Sequence, residues 1–163
     1  MRDSAAQLAS CLDDVIEVQE RLLTALVTQR PAIVEGRHHD VEALARQAEI
    51  EIRRLTVAER IRAAAAQVMA DERGLPSPRW SVLRTALDEE ESTALAERIA
   101  TVEELVRDLE MANAINGQLV RQELEVMDAS MRSLAGPGPR SYTAAGANAD
   151  APAPRPMMLN TSA

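Results

Sequence analysis

The longest coherent pattern of apolar positions lies between Leu95 and Leu134. Leu95, Ile99, Val102, Val106 and Leu109 recur at alternating steps of four and three, the seam of a heptad repeat. A second stripe, Leu105, Ala112, Leu119 and Val126, runs beside it at heptad spacing. Seam and flanking stripe together make a face wide enough for a bundle helix rather than a bare two-stranded zipper. The next seam positions are Asn113 and Asn116, followed at once by Gly117. Beyond them the apolar path resumes one residue out of phase, through Val120, Leu124, Met127, Met131 and Leu134. The pattern predicts one helix over Thr93–Leu134, roughly 63 Å long at 1.5 Å per residue.

Two further helices are predicted upstream. The first spans Ser4–Thr28, with Leu8, Leu12, Val15, Leu22 and Leu26 on one seam and Gln19 as its polar member. Ile16 and Leu23 widen that face, and Cys11 lies beside it. Pro31 has no N–H to donate, so the helix should end near Gln29 or kink there, with one further turn at Ile33 and Val34 before Gly36 stops it. Asp40 is the expected N-cap of the second helix, Val41–Glu72. That helix carries two apolar faces: Val41, Leu44, Ala48, Ile52 and Leu55 on one, and Ile50, Val57, Ile61, Ala64 and Val68 on the other. Its arginines interleave with glutamates, as on a solvated face held by i,i+4 pairs. Gly74-Leu75-Pro76 ends it, and Ser77-Pro78 reads as the N-cap and first position of a short segment carrying Trp80, Leu83 and Leu87. Trp80 is expected to plug one end of the bundle. The acidic run Asp88–Glu91 suits the positive end of the long helix that follows.

After Leu134 the composition turns to Ala, Pro and Gly, and no period survives. The expected organisation is therefore a helical domain over residues 1–135 and a disordered tail over 136–163. Tyr142 and the group Met157-Met158-Leu159 are the two features of that tail suited to docking.

Composition narrows the chemistry. Phe is absent, Trp80 and Tyr142 are the only aromatics, and the apolar content is aliphatic with much Ala. Such a core suits an all-α antiparallel three-helix bundle and lacks the β-branched and aromatic alternation of strands. The net charge is −8 and all eighteen basic residues are Arg, a poor match to phosphate backbones or an anionic membrane. No apolar run approaches the roughly 18 residues of a membrane span. The start, Met1-Arg2-Asp3-Ser4, lacks the apolar segment of a signal peptide, and Cys11 is the sole cysteine, so a cytoplasmic protein is expected. Glu35 and His38 have the Glu-x-x-His spacing of di-iron bundles, but the single copy contains Gly36 and sits at a turn, so a solvated turn is the better reading. There is no phosphate loop, nucleophile–His–acid set or ligand cluster, and neither an enzyme, a cofactor nor a metal is expected.

Asn113-Ala114-Ile115-Asn116-Gly117-Gln118-Leu119-Val120, then Leu124 and Met127, then a Gly/Pro break and Ser141-Tyr142-Thr143-Ala144-Ala145-Gly146, resembles the C-terminal signature of the FlgN family. The order of parts upstream is similar too, over roughly residues 8–146. The resemblance implies a cytoplasmic chaperone of flagellar type III export. It would bind hook-associated (hook–filament junction) proteins, keep them monomeric and hand them to the cytosolic domain of the export gate. It also implies that clients are bound by the C-terminal region, here the third helix after Asn113, which leaves the gate as the partner of Tyr142. On that helix the residues expected to bind are Asn113, Asn116, Gly117, Val120, Leu124, Met127, Met131 and Leu134, whose stripe drifts away from the upstream seam. The residues agree on the place, since Gly117 costs a helix about 1 kcal/mol relative to Ala, and paired methionines adapt to partner grooves. A seam Asn can equally fix helix register. A chaperone of this kind is expected to be a monomer or a weak homo-oligomer. The alternative is a structural coiled-coil adaptor that self-associates through the same stripe.

Overall fold

The computed structural model describes residues 2–134, and the side chains from Ser4 onward. The Ala/Pro-rich segment 136–163, with Tyr142 and Met157-Met158-Leu159, lies outside the described residues. The described chain is all-α: α1 Arg2–Val34, α2 His38–Glu72, the short α3 Trp80–Leu83 continued by a 3-10 turn Arg84–Ala86, and α4 Glu89–Leu134. No strand occurs among the described residues.

The two longest upstream helices stop by the same device. At the end of α1, Gly36 takes φ +66°, Arg37 N–H donates to Ala32 O (2.9 Å) and Gly36 N–H donates to Ile33 O (3.1 Å). At the end of α2, Gly74 takes φ +64°, Leu75 N–H donates to Ala70 O (2.8 Å) and Gly74 N–H donates to Asp71 O (3.1 Å). This left-handed cap with its paired bonds is the Schellman motif, which needs a residue without Cβ strain. α4 opens with a reciprocal cap: Glu91 N–H donates to Asp88 Oδ1 (2.8 Å) and Asp88 N–H to Glu91 Oε2 (3.4 Å).

Several boundaries differ from those expected. Pro31 sits inside α1, which runs on to Val34; the one bond that Pro31 removes is outweighed by burial of Ala32 and Ile33 on the following turn. Asp40 is not the N-cap of α2. That position is Arg37, and Asp40 lies in the first turn, paired with the Arg37 guanidinium. Ser77 and Pro78 precede α3 rather than open it: Arg79 is its N-cap, and the Ser77 hydroxyl accepts from Arg79 N–H (3.3 Å).

α1 is the central helix. α2 runs antiparallel to it, with Gln29 beside Val41 at one end and Arg21 beside Glu51 further along. α4 runs parallel to it, with Arg98 paired to Asp13 (2.8 Å) and Asn116 bonded to Leu26 O (2.7 Å). α2 and α4 each pack along α1 and have few contacts with each other. Hence α1 is buried on two sides: Leu8, Leu12, Val15, Gln19 and Leu22 form one stripe, and Cys11, Val18, Ala25 and Ala32 form another at seven-residue spacing.

The main core lies at the α1 N-terminal end, where Leu8, Leu12, Met69, Leu83 and Leu95 meet and Trp80 packs half-buried against them. The expected plug at one end of the bundle is thus in place. A smaller cluster joins Leu22, Ala25 and Ala48 to Leu26, Leu55 and Leu109. Arg73 ties the first end together, bonding Ala86 O and both Glu91 oxygens (3.2 Å each). Midway, the carboxylate of Glu51 is 1 % exposed yet receives Arg21, Gln47 and Arg54 at 3.3, 3.0 and 2.8 Å. Three donors, two of them cationic, offset the cost of burying that charge.

On α4 the buried line is Leu95, Leu105, Ala112 and Asn116, flanked by half-buried Ile99, Val102, Leu109 and Leu119. The expected seam is corrected at two steps. Val106 and Asn113 face solvent, and Leu105 and Ala112 from the neighbouring stripe are buried in their place. An α-helix turns 100° per residue, so the two stripes are adjacent, and the larger Leu105 side chain gains more by facing α1.

Candidate partner-binding surface

α4 outruns the bundle. Asn116 is level with Leu26–Arg30, close to the end of α1, whereas α4 continues to Leu134. About 14 residues, roughly 21 Å, therefore project past the α1 terminus. Nothing in the described chain covers them: from Val120 to Leu134 every side chain is exposed except half-buried Glu123.

The projection begins at a polar clasp. Asn116 Nδ2 donates to Leu26 O (2.7 Å) and to Gln29 Oε1 (3.2 Å), and its Oδ1 accepts from Arg30 Nε (3.2 Å). Gln29 in turn donates to Val41 O on α2 (3.2 Å). One buried amide thus links α4 to α1 and, through Gln29, to α2. A buried amide with donors and acceptor all matched sets register and direction. Asn113, one turn earlier, faces solvent.

Gly117 is half-buried beside the clasp, and a methyl group added there would meet only Arg121 Nη1, at 3.7 Å. Packing therefore does not demand glycine at this position.

Past Gly117 all the large exposed apolar groups except Val126 fall into one line. Val120, Leu124, Met127, Met131 and Leu134 recur at steps of four and three, with Leu124 59 %, Met131 67 % and Leu134 87 % exposed. Continued backwards, the line meets Gly117 and Asn113. The structure thus joins Asn113, Gly117, Val120, Leu124, Met127, Met131 and Leu134 on one face, and turns Asn116 inward onto α1. Charged groups border the line, among them the Asp128–Arg132 pair. An isolated exposed Leu is ordinary; five apolar residues in register on a lone helix form a strip suited to an amphipathic partner helix.

Among the described residues no group of three or more His, Cys, Asp or Glu side chains is arranged to hold a metal ion. His38 and His39 are exposed at the start of α2, and Glu35 pairs with Arg37 at 2.7 Å. Burial pushes the Cys11 thiol above its ordinary pKa, and Asp14 raises it further, so it is a poor nucleophile. No helix among the described residues is long and apolar enough to cross a membrane.

The family model described as FlgN protein matches residues 1–150. No curated protein and no solved structure matches the chain.

Proposed function

The chain belongs to the FlgN family of flagellar export chaperones, and from that premise we propose that the projecting end of α4 is where it holds its clients. The observation that carries this reading is the apolar line Val120–Leu124–Met127–Met131–Leu134, exposed on a helix that no other described residue covers. The clients are hook-associated proteins of the hook–filament junction, held in the cytoplasm. Such subunits assemble outside the cell through terminal helices that would associate prematurely if left exposed. Laying a client helix along α4 covers both apolar faces at once and keeps the client monomeric. The two methionines let the line adapt to more than one client sequence.

Asn116 acts in this reading by holding α4 in register rather than by touching the client. Asn113 and Gly117 mark the near end of the surface, where the small Gly117 lets a client backbone approach. Delivery falls to the segment beyond Leu134, with Tyr142 as the contact to the export gate's cytosolic domain. A tyrosine offers a large apolar face and one hydroxyl at modest entropic cost.

Co-purification from the native cell with identification of the bound proteins tests the reading. Recovery of hook-associated proteins with the parent chain, and their loss when the α4 line is truncated, is expected. Equal recovery with both would overturn it.

A further inference from the structure

The second apolar face of α2 has no partner within the described chain. Val57, Ile61, Ala64 and Val68 follow one another at steps of four, three and four, and all are exposed; Val57 is 55 %, Ile61 54 % and Val68 46 % exposed. These are four consecutive seam positions of a heptad. The next seam position toward the N-terminus is Arg54, and the next toward the C-terminus is Asp71, both exposed. From Arg54 to Asp71 the steps run three, four, three, four, three, the same read in either direction.

That symmetry is what a two-fold, self-complementary contact requires. We propose that α2 pairs antiparallel with α2 of a second copy of this chain. With the two-fold axis midway between Ile61 and Ala64, Ile61 of each copy faces Ala64 of the other, and Val57 faces Val68. At both ends Arg54 then faces Asp71. A parallel pairing would instead set Arg54 against Arg54 and Asp71 against Asp71, so the charges select the antiparallel arrangement. Arg54 uses Nη1 for buried Glu51 (2.8 Å), and Asp71 Oδ1 accepts from Gln67 (2.8 Å). A guanidinium has five N–H donors and a carboxylate about four acceptor positions, so both groups have capacity for a cross-copy pair. The shallow groove beside the strip, lined by Cys11, Asp14, Val57, Ala58 and Ile61, receives the edge of the second helix.

The strip is short compared with a standard interface of about 1,600 Å². The pairing is therefore a concentration-dependent equilibrium. It leaves the projecting end of α4 in both copies uncovered and does not depend on the client assignment.

Analytical ultracentrifugation of the full chain over about 5–500 μM tests it. A monomer–dimer equilibrium is expected. Asp71→Arg sets cation against cation at both ends, Arg54→Glu sets acid against acid, and each alone should weaken dimerisation at least about tenfold. Mixing the two variants should restore the dimer, because the heterodimer regains an opposite-charge pair at each end. Ile61→Glu, at an exposed position, should abolish the dimer with the far-UV CD spectrum and melting temperature unchanged. It decides the question alone should Arg54→Glu fold poorly beside Glu51. A monomer at every concentration would overturn the proposal. So would a dimer indifferent to Asp71→Arg and Ile61→Glu, or two folded charge variants that remain monomeric when mixed.

Discussion

Truncating Leu124 and Met127 together to Ala separates a partner surface from a core. Leu124 is 59 % and Met127 48 % exposed, and neither touches a buried cluster. Fully burying such a side chain contributes about 1.5–3 kcal/mol. Only the share still exposed in the free chain can be gained on binding, so the pair should contribute about 1.5–3 kcal/mol to client affinity. That is a loss of roughly ten- to a hundredfold in Kd on truncation. Stability should move by no more than about 0.5 kcal/mol, as for surface changes away from any structural feature. Leu95→Ala is the contrast: Leu95 is among the most buried side chains of the main core, and its truncation should cost about 2–5 kcal/mol and lower Tm sharply. Titration calorimetry against a hook-associated client, with CD melting of each variant, reads both quantities. A large fall in Tm for the double variant with unchanged affinity would place Leu124 and Met127 in a core and refute the assignment.

Asn116→Ala removes one bond to a charged donor and two neutral ones, and should cost about 2–4 kcal/mol; chemical denaturation measures it, and an unchanged midpoint would mean the clasp holds nothing. Gly117→Ala should raise stability by about 0.5–1 kcal/mol, since the added methyl meets only the Arg121 side chain. It should lower client affinity at the same time, and unchanged affinity would remove Gly117 from the surface. Tyr142→Ala should leave Tm and client affinity unaltered but weaken binding to the gate's cytosolic domain about fivefold or more, roughly 1 kcal/mol; equal gate affinity would remove Tyr142 from the mechanism. Cys11 should resist alkylation until the protein unfolds. Its raised native pKa means that the folded state keeps the proton longer, so this contribution to stability is lost as pH climbs past its ordinary value of 9.0; rapid labelling of the native protein at pH 8 would contradict it.

Local chemistry made much of this fold legible. Gly36 and Gly74 mark helix ends wherever the chain is placed, because the left-handed cap is a property of a few consecutive residues. The long helix through Leu134 and the exposed line after Gly117 follow likewise from spacing alone, as does the Asn/Gly interruption that locates the near end of the line. At Pro31 the local rule left two outcomes, an end near Gln29 or a kink with one further turn to Val34; the helix continues to Val34, where Ala32 and Ile33 are buried, and burial is decided by neighbours.

The sequence by itself determined three long helices, the glycines that stop the first two and the out-of-phase apolar line after Gly117. Tertiary structure decided which of two adjacent stripes on α4 faces inward. Leu105 and Val106, like Ala112 and Asn113, stand 100° apart at the two edges of one wide face, so spacing alone does not say which edge turns inward and contact with α1 decides it. The same contact turns Asn116 into a clasp and leaves Asn113 in solvent, although the two look equivalent along the chain. It also makes α1 the middle helix. Cys11, Val18, Ala25 and Ala32 gain their meaning from a second neighbour lying against α1, which buries all four.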